Sequence, residues 1–167
     1  ILKEDGQDIR GLYERNDAAI RELEGLEQGK GFFPLPGMAF PEVTTTEITE
    51  NGIAYAVDFE NGQKTGFFLD QKYNRQAVAR ISRGKRVLDC FTHTGSFGLN
   101  AALGGAAHVH SVDISGEAIA MARENAARNG LSDRMSFETA NVFDLLPTIP
   151  PKSYDLVILD PPAFTKS

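Results

Sequence analysis

Residues 86–98 read RVLDCFTHTGSFG, a β-prone run that breaks into a turn and then into a helix. Arg86–Cys90 has the length and apolar content of a short buried strand. Ser96–Leu103 has helical composition and is closed by Gly104-Gly105. Gly95 and Gly98 let the backbone turn sharply between the two. Working outward, the same alternation recurs. Gln71–Ser82 reads as a helix ended by Gly84, and Ala107–Val112 as a second strand. Ser115 is placed to cap a long helix reaching Arg128, with Asn129-Gly130 as its stop. Met135–Glu138 and Tyr154–Leu159 supply a third and a fourth strand. Strands separated by helices of this length predict right-handed βαβ units and a parallel α/β sheet. Ligands of such sheets sit beyond the carboxyl ends of the strands. Asp89, Asp113, Asn141 and Asp160 all fall there.

The earlier part of the chain is written differently. Residues 16–27 carry Ile20, Leu23 and Leu26 at helical spacing, with Asn16 or Asp17 as the N-cap. Gly29–Pro41 is dense in Gly and Pro and is expected to be irregular. Val43–Glu50 and Ile53–Phe59 are β-prone, and Asn51-Gly52 between them suits a type I′ hairpin turn. The resulting expectation is a small α+β subdomain over residues 1–68, followed by an α/β domain over 69–167.

Composition narrows the chemistry. With 167 residues, 41% hydrophobic and 24% charged, the chain can bury a core. A single cysteine, Cys90, excludes a disulfide framework or a thiolate metal cluster. Three histidines, His93, His108 and His110, leave little for zinc, so no metal is expected. No run approaches the roughly 20 apolar residues of a spanning helix, and no basic leader precedes an apolar stretch. A cytoplasmic protein without membrane attachment is expected. The sequence opens at Ile1 and stops at Ser167 inside a motif, and so reads as a fragment. Net charge is -6, yet residues 71–86 hold six cations (Lys72, Arg75, Arg80, Arg83, Lys85, Arg86) and no acid. That leaves 11 basic against 23 acidic residues elsewhere. A basic island on an acidic body can guide a phosphate backbone to one face, and a solvated helix flank looks the same.

The strand ends suggest their own ligand. A dinucleotide loop would want G-x-G-x-x-G; here the first glycine is missing, with Phe91 and Thr92 where a pyrophosphate needs bare backbone. Asp89 opposes a phosphate and suits an ammonium group. Asp113 is placed to accept hydrogen bonds from both hydroxyls of a ribose. Asn141 and Val142 offer an amide and an apolar surface to an adenine. Amino acid, ribose and adenine together describe S-adenosylmethionine. In Asp160-Pro161-Pro162-Ala163-Phe164 two prolines fix the chain as it leaves the strand, which suits a base held by hydrogen bonds and stacking.

VLDCFTHTGSFGLNAA, HSVDIS, ARENAARNGL and VILDPPAF resemble the class I S-adenosylmethionine-dependent methyltransferases. With ERNDAAIRELEGL and NGQKTGFFLDQKYNR, they resemble more narrowly the large-subunit ribosomal RNA cytosine-C5 methyltransferase family. The resemblance implies a Rossmann-like sheet, here truncated after its fourth strand, and ribosomal RNA as partner. It implies that Asp89, Phe91, Thr94 and Gly95 surround the methionine end of the cofactor. Asp113 and Ile114 would hold ribose and adenine, and Asn141 and Val142 would contact adenine. The family commonly has Asp where Asn141 stands. Lys64, Phe67, Asp70, Gln71 and Arg75 would belong to a segment closing over the site. Asp160 would hydrogen-bond the target base, and Phe164 would stack on it or shape its pocket. Family members usually carry an N-terminal RNA-binding PUA domain, which has no counterpart here.

Methylating C5 of cytosine requires a thiolate to add at C6. Cys90, at the end of a buried strand, reads instead as a small hydrophobe. In the family the resemblance names, the catalytic cysteine follows the Asp-Pro-Pro motif at a distance, past Ser167. The rival readings are a guanine N-methyltransferase, which needs no thiolate, and a non-catalytic RNA-binding module. A nicotinamide oxidoreductase is disfavoured by the first turn. The fourth strand, ending the sheet, leaves an apolar edge that is expected to self-associate into a homo-oligomer or to aggregate, unless further residues cover it.

Overall fold

The computed structural model describes residues 6, 9–18, 20–34, 36, 39–62 and 64–162. The chain forms two compact units: Ile1–Glu47 with Ala56–Phe68, and Ile48–Tyr55 with Leu69–Ser167.

In the first unit β1 (Tyr13–Arg15) pairs antiparallel with β2 (Lys30–Phe32), Tyr13 lying opposite Phe32. β2 falls inside a stretch whose Gly and Pro content predicts irregular chain. Its pairing, together with edge contacts of Tyr13 to Phe32 and Phe59 at 5.0 and 5.1 Å, overrides that composition. Arg15 donates to the carbonyls of Phe59 and Gly62, tying β1 to the later turn. The helix expected over residues 16–27 is reduced to one turn, α1 (Ile20–Leu23). Ile20 and Leu23 are 58% and 83% exposed, so the apolar stripe buries nothing. A short helix without such burial is marginal.

The hairpin β3 (Thr45–Glu50) and β4 (Ile53–Asp58) turns on Asn51 and Gly52 with φ of 54° and 81°, as a type I′ turn requires. Ile53, Tyr55 and Val57 alternate inward along β4 and are buried. The tip of this hairpin, residues 48–55, belongs to the second unit. There the Asn129 side chain both accepts from the Ala54 N–H and donates to the Ala54 carbonyl, standing in for a neighbouring strand. Tyr55 accepts from Asn100 at 2.9 Å.

The second unit holds the parallel sheet. Its strands are β5 (Arg86–Cys90), β6 (His108–Asp113), β7 (Met135–Thr139) and β8 (Leu156–Leu159), in spatial order β7-β6-β5-β8. β8 begins two residues later than the sequence suggests, and Tyr154, before it, has its hydroxyl 2.7 Å from the His110 ring nitrogen. The intervening helices are α2 (Lys72–Ile81), α3 (Ser96–Leu103), α4 (Gly116–Arg128) and the single turn α5 (Val142–Leu145). Ser115 caps α4, its Oγ accepting from Ala118 N. The chain runs from β5 outward to β7, then returns to lay β8 on the other side of β5. The strand order therefore reverses beside β5, the position at whose carboxyl ends open α/β sheets bind their ligands. Among the described residues β8 has a strand on one side only, with Val157 and Leu159 exposed. No described helix is long and apolar enough to cross a membrane.

Candidate functional site

The register brings the four strand ends to one level. Asp89 lies opposite Ser111, Cys90 opposite both Val112 and Leu159, and Asp113 opposite Thr139. The loop after β5 is tightly wound: Phe91, His93 and Gly95 have φ of 58°, 51° and 83°. Two non-glycine residues in the left-handed region within three positions cost energy, so the surroundings must hold them. Asp89 does much of this from below. It is 1% exposed, and one carboxylate oxygen accepts from the Thr92 hydroxyl and from Gly98 N. Gly98 has to be glycine, since a Cβ would lie 2.6 Å from Ser111 Oγ and 2.9 Å from Asp89 Oδ2. At Gly95 a Cβ would press on Ala122 of α4 at 3.0 Å. The Thr94 carbonyl accepts from Asn125, which is fully buried in α4.

Asp113 joins this loop to the second strand end. Its Oδ2 accepts from His93 N at 2.8 Å and its Oδ1 from Ser115 N at 3.0 Å. These two donors fix the carboxylate's orientation and leave each oxygen a further lone pair. The next side chain, Ile114, is 72% exposed. After β7, Asn141 is the N-cap of α5, its Oδ1 accepting from Phe143 N at 3.0 Å. Val142 is buried in a cluster with Leu88, Cys90 and Val112. The apolar side chain open to solvent in this turn is Phe143, at 58%, and its ring meets the Phe91 ring edge-on at 5.9 Å. Residue-type reading overlooked Phe143. The signal was the Asn141 cap, which starts a helical turn, sends Val142 inward and leaves its neighbour outside.

Asp160, Pro161 and Pro162 are exposed beyond β8, next to the loop that follows β5. Phe164 lies outside the described residues. Gln71 precedes α2, with its Oε1 accepting from Asn74 at 2.6 Å, and Asp70 is exposed. Lys64 and Phe67 belong to the first unit, Lys64 Nζ lying 5.1 Å over the Phe68 ring. Arg75 has a partner that spacing could not reveal. It is 1% exposed and grips Glu50 with two nitrogens at 2.7 and 3.0 Å, so its guanidinium is an internal ion pair.

The charge at the strand ends is acidic. Burial pushes Asp89 up to about 7, against the Thr92 and Gly98 hydrogen bonds, and the Asp113 and Asp160 charges push the same way. Burial also lowers His93, with Asp113 opposing. Cys90 is fully buried, and burial followed by the Asp89 charge raises its thiol to about 11. Neither access nor acidity makes it a nucleophile. Among the described residues no three His, Cys, Asp or Glu side chains cluster for a metal. Three carboxylates, the exposed surfaces of Ile114 and Phe143 and a glycine-wound loop fit a cationic nucleoside and repel a phosphate.

A parallel sheet whose strand order reverses beside β5, with that chemistry at its carboxyl ends, defines an α/β domain of the nucleoside-cofactor-binding class. The chain belongs to the S-adenosylmethionine-dependent methyltransferase family, whose pattern matches residues 38–167. It is 45% identical over 159 residues to the ribosomal RNA large subunit methyltransferase I of Aeromonas salmonicida. The corresponding protein of Photobacterium profundum is 46% identical over 159 residues. In each case the match covers 93% of this chain and 39% of the relative, so the chain spans about two fifths of those proteins. Among solved structures, a methyltransferase complexed with SAH superposes with a TM-score of 0.70 at 33% identity. That match covers 82% of this chain and 36% of the other. A protein described as a SAM-dependent methyltransferase from Streptococcus mutans gives 0.69 at 33% identity, over 80% and 35%.

Proposed function

We propose that the chain carries the cofactor half of an S-adenosylmethionine-dependent methyltransferase acting on large-subunit ribosomal RNA, with C5 of a cytosine as target. The observation that supports this most is the Asp113 carboxylate, pinned by His93 N and Ser115 N so that its remaining lone pairs face a vicinal diol. Ribose hydroxyls are such a diol. Around it, Ile114 and Phe143 flank the adenine, while Val142 acts from beneath by anchoring the turn. Asn141 spends its oxygen on the cap and retains its amide N–H groups for a ring nitrogen. Phe91, Thr94 and Gly95 shape the loop that receives the methionine end, with Asp89 below supplying negative charge toward the ammonium. Gln71 stands at the rim. Arg75 contributes by fixing α2 to the hairpin through Glu50.

The cofactor supplies a methyl group on a positively charged sulfur. What the protein adds is orientation, and an acidic surround that favours that charge. Asp160, rigidly presented by Pro161 and Pro162, accepts a hydrogen bond from the amino group of the target base. A C5 reaction needs a thiolate, and Cys90 is excluded by burial, so that group comes from outside these 167 residues.

The test is transfer of labelled methyl from the cofactor to large-subunit ribosomal RNA by the whole protein, with the product nucleoside identified by mass spectrometry. 5-Methylcytidine is the expected product. A methylated guanosine would move the target to a purine nitrogen, and no transfer to RNA would defeat the reading.

A further inference from the structure

The six cations of residues 71–86 do not form one patch. Arg75 is withdrawn onto Glu50, and Arg86 is paired with Asp155 at 3.4 Å. Lys72, Arg80 and Arg83 are exposed, Lys85 is half-buried, and no ion pair among the described residues engages Lys72, Arg80 or Arg83. On α2 Tyr73 is 74% exposed and Ile81 52%, and Leu69, in the turn before the helix, is 71% exposed. Tyr73 and Arg80, seven positions apart, share one side of the helix, with Lys72 next to Tyr73 in its first turn.

The opposite side of α2 is fully used. Arg75 lies 6.0 Å from the Phe97 ring, and a Cβ on Gly104 would strike the Ala79 carbonyl, so α2 and α3 touch backbone to backbone. Because residue 75 meets 97 and residue 79 meets 104, the two helices run in the same sense. α3 starts at the loop after β5. The first turn of α2, with Lys72 and Tyr73, therefore lies at the strand-end side of the domain, and Arg80 and Arg83 recede from it.

We propose that the exposed face of α2 and of the turn after it, from Lys72 to Arg83, is a track for a single-stranded RNA segment leading to the strand-end site. Phosphates lie on Lys72, Arg80 and Arg83, and one base stacks on Tyr73. Cations interleaved with an open aromatic ring are how single strands are held without sequence preference. A second copy of the chain is a poorer occupant, since a symmetric contact would set Lys72, Arg80 and Arg83 against their like charges, and residues 71–86 hold no acid to offset them. Elsewhere 11 basic residues face 23 acidic ones, so the rest of the molecule repels phosphate and steers it to this strip.

The inference rests on the RNA reading above, and one experiment separates the two. Binding of a large-subunit ribosomal RNA transcript is measured against salt for the wild type, Lys72→Gln/Arg80→Gln/Arg83→Gln, Tyr73→Ala and the control Arg134→Gln. S-adenosylhomocysteine binding reports that each variant is folded. The triple variant should lower the slope of log affinity against log salt by about 2, at roughly 0.7 per phosphate contact on a single strand. Tyr73→Ala should weaken binding at least about fivefold. Wild-type slopes in folded triple and Tyr73 variants would overturn the track, as would an equal loss per charge in Arg134→Gln. A wild type that binds no RNA would overturn the RNA reading and the track together, whereas RNA binding insensitive to α2 overturns the track alone.

Discussion

Asp89 is the residue on which the site's electrostatics turn. Its carboxyl titrates at about 7 because it is buried beneath the first loop, against 3.8 for an unhindered side chain. The folded protein therefore holds a proton there more tightly than the unfolded chain. This contribution to stability is complete below about 4 and is lost as pH rises through 7. Asp89→Asn should flatten the fall in melting temperature between pH 4 and 7 in the cofactor-free protein, as read by calorimetry. An unchanged profile would mean that the carboxylate is better solvated than its burial indicates. Asp113 contrasts with it. Half-buried, with one backbone donor on each oxygen, it keeps further lone pairs, which the proposed function assigns to the ribose. The neighbouring Val142 and Phe143 show how one cap divides two apolar residues between core and surface.

Among the elements, the buried Glu50–Arg75 pair is the principal tie between the hairpin tip and α2. Removing one partner of such a pair leaves a charge with no water and no counter-ion, costing about 3–5 kcal/mol, whereas replacing both with apolar groups is often neutral. Glu50→Ala should lower unfolding stability by about 3 kcal/mol or more, and Glu50→Leu with Arg75→Met should recover most of it. Urea denaturation of the three proteins measures this, and a mild Glu50→Ala would contradict it. The pair also marks where reading the sequence stops. β5, α3 and the type I′ turn were legible because each is decided by local spacing, caps and glycines. The four strand ends were legible because a βαβ pattern dictates where they meet. Arg75 was not, since its partner lies 25 positions away. Nor was β2, a three-residue strand that owes its state to pairing with β1. Residues 16–27 had the right period, and the lack of a surface to cover reduced them to one turn.

At the level of the whole molecule, the sheet's strand order reverses beside β5, and the register brings the ends carrying Asp89, Asp113 and Asp160 to one level. The charge map sets acids at the strand ends and, among the described residues, cations outside any ion pair at Lys72, Arg80 and Arg83, a division that serves the proposed cofactor and the proposed RNA. Both depend on the loops after β5, β6, β7 and β8 clasping one nucleoside. Amide chemical shifts recorded by NMR as S-adenosylhomocysteine is titrated into the protein test this most directly. The account predicts shifts concentrated at Phe91–Gly95, Asp113-Ile114, Asn141–Phe143 and Asp160, saturating together with one dissociation constant. Shifts confined to a single loop, or scattered over residues far from the strand ends, would contradict it.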